Sequence, residues 1–108
     1  MKVCFYQTVG GAAPVQKYIE SLPSKEAAKI TAVLADIEKD GLVGAAVHMR
    51  PIDGKLWELK IDRHRVFYVV VRGPVLVILH AYWKQTQKAP RNEIEIAKRR
   101  MKEVLSAG

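Results

Sequence analysis

At 108 residues, with 49% hydrophobic and 27% charged side chains, the chain matches one globular domain that buries roughly two thirds of its unfolded surface. That balance excludes a disordered polymer, a repeat array and a collagen-like fibre. No run of about 18 apolar residues occurs, and Met1 leads into Lys2 and an alternating segment rather than an apolar leader, so the expectation is a cytoplasmic protein that neither spans a membrane nor is secreted.

Cys4 is the only cysteine, which rules out an intramolecular disulfide and reads as a small buried hydrophobe. The net charge of +7 is unevenly placed. Before Arg50, five lysines meet five acids; from Arg50 onward, thirteen bases face six acids. A positive excess confined to one half attracts polyphosphate, an anionic membrane or an acidic protein, and nucleic acid is the first reading.

In chain order, residues 3–7 alternate as a short strand ended by Gly10-Gly11. Pro14 then suits the first turn of a helix carrying Val15, Tyr18, Ile19 and Leu22 at helical spacing. Pro23 and Ser24 interrupt, and Ile30, Val33, Leu34 and Ile37 mark a longer helix that stops at Asp40-Gly41. A strand followed by a helical hairpin is therefore predicted. Residues 42–54, broken by Gly44, Pro51 and Asp53-Gly54, are expected to form a long loop that carries Arg50. Residues 55–61, 65–72 and 75–82 read as three strands of an antiparallel meander, the last two joined at Gly73-Pro74. Pro90 opens a final helix with Ile94, Ala97, Met101, Val104 and Leu105 on one face. No linker divides the chain, so residues 1–108 make one α+β domain.

Alternation sets Trp57, Leu59 and Ile61 on one face of their strand and Leu56, Glu58 and Lys60 on the other; one face should pack and the other present charges. The same period puts His80 and Tyr82 together, with Lys84 just past the strand end and Arg65 opening the neighbouring strand. His48 and His64 are not assigned to a site. No carboxylates, histidines or cysteines fall at ligand spacing, so no metal site and no cofactor are expected. Lysine, arginine, histidine and tyrosine nevertheless suffice for RNA cleavage, because the 2′-hydroxyl is its own nucleophile. The protein need only deprotonate it, neutralise the pentacoordinate phosphate and protonate the leaving 5′-oxygen. The expected catalytic set is Arg65, Lys84, Lys60, His80 and Tyr82. The expected RNA-phosphate contacts are Arg50, Lys55, Arg63, Lys88 and Arg91, with Lys98, Arg99 and Lys102 on the final helix.

Taken in order, Leu56-Trp57-Glu58-Leu59-Lys60, Arg65-Val66-Phe67-Tyr68, Leu79-His80-Ala81-Tyr82-Trp83-Lys84 and Lys88-Ala89-Pro90 followed by Glu93-Ile94-Glu95-Ile96-Ala97 resemble the phage-derived Gp49-like, HigB-type branch of the RelE toxin superfamily. The resemblance covers nearly the whole chain. It implies a curved antiparallel sheet with an N-terminal helical hairpin and a C-terminal helix, an RNase that enters the ribosomal A site to cut mRNA, and a helix-turn-helix antitoxin as partner. The arginine of the family's R-V-x-Y strand falls on Arg65, which would stabilise the scissile phosphate. The basic residue closing W-E-L-R falls on Lys60, the lysine after L-H-x-F on Lys84, the next basic position on Lys88, and the segment's histidine on His80. Three departures stand out. Lys60 replaces arginine, Ala81 and Tyr82 replace glycine and phenylalanine, and Gln85 replaces a second lysine. Lys60 and Gln85 keep a second reading open, a non-catalytic RNA- or ribosome-binding module of the same fold. A DNA-binding regulator fits poorly, since the paired helices lie in the neutral half.

Overall fold

A computed structural model describes residues 1–43, 48–88 and 90–107. The expected breaker Gly44 and the Ala89 of the Lys88-Ala89-Pro90 motif lie outside the described residues. The elements are β1 (Lys2–Phe5), α1 (Pro14–Glu20), α2 (Ser24–Asp40), β2 (His48–Asp53), β3 (Leu56–Ile61), β4 (His64–Val71), β5 (Val75–Trp83) and α3 (Arg91–Ala107). The α+β expectation holds. Pro14 opens α1, where a missing N–H costs nothing, and Gly41 at φ 77° ends α2 in a conformation that favours glycine. No described helix is long and apolar enough to cross a membrane.

The sheet has the order β1-β5-β4-β3-β2. The meander from β2 to β5 is antiparallel, whereas β1 adds to β5 in parallel. Two expectations need correcting. The stretch read as a loop around Arg50 is largely strand β2; as an edge strand it tolerates Pro51, which cannot donate to a ladder. Nor does the sheet leave one face to charges, because both faces pack. The α1/α2 hairpin lays Val15, Ile30, Leu34 and Ile37 on Leu59, Ile61, Val66, Tyr68, Leu76 and Ile78. On the opposite face, Ala97, with Ile94, Met101 and Val104 of α3, covers Leu56, Phe67, Val69, Val77 and Leu79. Trp57 points to the hairpin side yet stays 37% exposed.

A β-bulge decides what the second face presents. Phe67 pairs with His80 but Tyr68 pairs with Ile78, so Leu79 is an extra residue in β5. Unbroken alternation would carry His80 and Tyr82 to the hairpin side with Leu76 and Ile78. The bulge turns both onto the α3 side beside Phe67, where their rings stack.

Candidate active site

Register builds two rows of side chains across the α3-side face. His48 lies opposite Lys60, Lys60 opposite Arg65, and Arg65 opposite Tyr82; the next row runs Arg50, Glu58, Phe67, His80. α3 covers the inner end of the second row, where Glu93 and Arg100 meet His80. Beyond that cover, His48, Met49, Arg50, Glu58, Lys60, Arg65 and Lys84 line a cleft of about 370 Å³. Four arginine and lysine side chains thus surround one carboxyl group.

Arg65 is only 8% exposed, and its Nη1 donates to the carbonyls of Asp62 at 2.7 Å and His64 at 3.1 Å. Those carbonyls belong to the tight β3–β4 turn, in which Asp62 takes φ 55°, a region that aspartate tolerates. The hairpin clamps the turn from behind. Lys29 Nζ bonds Asp62 at 2.8 Å, His64 Nε2 meets Glu26 Oε1 at 2.8 Å, and His64 Nδ1 meets the Tyr18 hydroxyl at 2.6 Å. Burial pushes the Tyr18 pKa up to about 12, with the charges of Glu26 and Glu93 adding to it. A guanidinium anchored on one side in this way is preorganised and would need no reordering to meet an anion in the cleft. Lys84 is placed by its backbone N–H, which donates to Arg63 O at 2.7 Å.

Tyr82 is buried and stacks on Phe67 at 5.8 Å. Burial and then the Glu58 charge raise its pKa, against the opposing effect of Arg65, which keeps a neutral phenol at neutral pH. Its hydroxyl and Glu58 Oε2 are buried without a hydrogen-bond partner among the described residues. His80, expected in the catalytic set, does not line the cleft. Its Nε2 meets Glu93 Oε1 at 3.3 Å and its Nδ1 meets Arg100 Nη1 at 3.3 Å. Burial lowers its pKa more than Glu93 raises it, so the neutral ring donates from Nε2 and accepts at Nδ1, leaving neither nitrogen free.

The other expected RNA contacts disperse. Arg63 stands exposed on the β3–β4 turn, Lys88 and Arg91 beyond β5, and Arg99 on α3. Lys55, Lys98 and Lys102 gather at a separate depression of about 480 Å³ beside Asp53. There Lys98 Nζ pairs with Asp53 at 2.8 Å, and that hydrogen bond raises the lysine's pKa. Two polar residues of the cleft went unassigned from the sequence, His48 and Glu58. The signal that locates both is the polar, polar, polar alternation of His48, Arg50 and Glu58 across the β2–β3 register, which is legible only once β2 is known to be a strand. Among the described residues no three His, Cys, Asp or Glu side chains assemble as metal ligands.

No curated protein matches the chain significantly. A family model described as phage-derived protein, Gp49-like, matches residues 17–102, a span that runs from α1 into α3 and includes every residue lining the cleft. The match agrees with the resemblance carried by the strand motifs, and the chain belongs to this phage-derived Gp49-like family, of the HigB toxin type.

Proposed function

We propose that this protein is the toxin of a type II toxin-antitoxin pair, an endoribonuclease that enters the ribosomal A site and cuts mRNA without a metal ion. The observation that carries the proposal is the convergence of Arg50, Lys60, Arg65 and Lys84 on one cleft of a sheet packed on both faces. Such a donor set repels a divalent cation and attracts a phosphodiester. In this reading the 2′-hydroxyl passes its proton to solvent as its oxygen attacks phosphorus, the bond to the 5′-oxygen breaks, and that oxygen takes up a proton from Lys84. The products are a 2′,3′-cyclic phosphate and a 5′-hydroxyl.

Arg65 holds the non-bridging oxygens, and Lys60 and Lys84 neutralise the charge that builds on them. Lys84 is the proton donor for the leaving oxygen, while Tyr82, whose hydroxyl is buried and does not line the cleft, backs Arg65 from the neighbouring strand. His80 supports the Phe67 and Tyr82 stack and transfers no proton. Arg63, Lys88, Arg91 and Arg99, together with the Lys55, Lys98 and Lys102 group, meet RNA or ribosomal phosphates outside the cleft. A helix-turn-helix antitoxin is the partner that silences the activity, and the ribosome places the work in the cytoplasm.

The test is incubation of a defined message with the protein, with and without programmed ribosomes, followed by analysis of product ends. Cleavage only on ribosomes, leaving cyclic phosphate and 5′-hydroxyl ends, is expected. Ribosome binding with an intact message would favour the non-catalytic module, which the Lys60 and Gln85 departures keep in view.

A further inference from the structure

Glu58 is 2% exposed, on a face it shares with Leu56 and Phe67. An ionisable group in that position is weak evidence of a stability device, since well-packed apolar residues usually do as well or better. Its partner is therefore informative. Glu58 Oε1 accepts from Arg50 Nε at 2.9 Å, and Arg50, directly opposite across the β2–β3 register, is 54% exposed at the side chain. The contact uses the inner nitrogen of the guanidinium, and Nη1 and Nη2 have no partner among the described residues. Arg50 thus leans over the cleft on a buried post with its outer fork open.

We propose that Arg50 is a second phosphate-binding guanidinium of the cleft and that Glu58 is its positioning residue. This rests on the endoribonuclease reading and deepens it. Lys60, between Arg50 and Arg65 on the sheet, offers charge but no planar fork. Arg50 and Arg65 stand two strands apart and one side-chain row offset, roughly 12 Å at the backbone, a gap that two long side chains close around one phosphodiester. Arg65 is anchored through Nη1 on backbone carbonyls and Arg50 through Nε on a carboxylate, so each presents its remaining N–H groups from a fixed base.

The experiment is a double-mutant cycle of Arg50→Ala, Glu58→Gln and the two combined, read as the single-turnover cleavage rate at saturating programmed ribosomes, with circular dichroism as the fold check. Arg50→Ala should slow cleavage by about 100-fold, as loss of one preorganised donor does, and Glu58→Gln by about tenfold. The combined variant should be no slower than Arg50→Ala, because Glu58 acts through Arg50. Should Arg50→Ala fail to fold, Arg50→Lys in the wild-type and Glu58→Gln backgrounds closes the same cycle. Multiplicative losses, or an Arg50→Ala rate within about twofold of wild type, would overturn the proposal while leaving the enzyme reading intact. A wild-type protein that leaves the message whole overturns the enzyme reading and this inference with it.

Discussion

Replacing Tyr18 by phenylalanine or Glu26 by alanine strips one partner from His64, whose ring is 2% exposed and holds one hydrogen bond on each nitrogen. A buried polar atom left unpaired costs about 1–3 kcal/mol. Glu26 is about one third exposed, so solvent can replace part of its contact and the lower half of that range applies. Unfolding entropy of about 2.1 cal/mol/K per residue makes 1 kcal/mol worth roughly 4 °C in a chain of this length. Glu26→Ala should therefore lower Tm by about 4–8 °C and Tyr18→Phe by about 4–12 °C in a thermal melt followed by circular dichroism. Because the His64 and Asp62 carbonyls hold Arg65, a loosened turn should also slow cleavage, by up to about tenfold. If both variants melt within about 1 °C of wild type, the hairpin does not clamp the turn and the account of how Arg65 is positioned fails.

Burial holds the His80 pKa below its ordinary value, so on acidification the unfolded chain takes up that proton first. The stability this residue contributes is complete above about pH 6.5 and is lost as pH falls towards the depressed folded value. His80→Gln should flatten that limb of a Tm-versus-pH curve, and an unchanged limb would assign it to other groups. For ribosome binding followed against salt, Lys102→Ala should lower the slope by roughly 0.7–0.9 and Lys98→Ala by less, since Asp53 already pairs with Lys98. Equal slopes for both variants and wild type would remove this patch from the interface.

Much of the fold was legible because its elements carry strong local patterns. The helical stripe from Ile30 to Ile37, and the Val, Ile and Tyr content of β4 and β5, each specify one element without help from the rest of the chain. β2 was not legible. Pro51 and the glycines around it read as breakers, and only pairing with β3 makes His48–Asp53 a strand. The parallel pairing of β1 with β5 is a long-range contact with no local mark. The bulge at Leu79 is set by register, yet it alone brings Tyr82 round to Arg65.

The site divides along the same line. Arg65, Lys60 and Lys84 were found through charge and motif and do meet in one cleft. Glu58 was read as one of the charges on an open face, because alternation within Leu56-Trp57-Glu58-Leu59-Lys60 does not reveal that α3 packs on that side. His80 shared the right face with Tyr82, but its engagement by Glu93 and Arg100 depends on how α3 docks, which no strand pattern encodes.

The central claim is that an anchored Arg65 stabilises the phosphate during cleavage. The most direct measurement is single-turnover cleavage of a ribosome-bound message by wild type and by Arg65→Ala, at saturating programmed ribosomes and with the fold of the variant verified. A loss on the order of 100- to 1000-fold, with ribosome binding little changed, is the predicted result. A folded Arg65→Ala protein that cuts at close to the wild-type rate would contradict it.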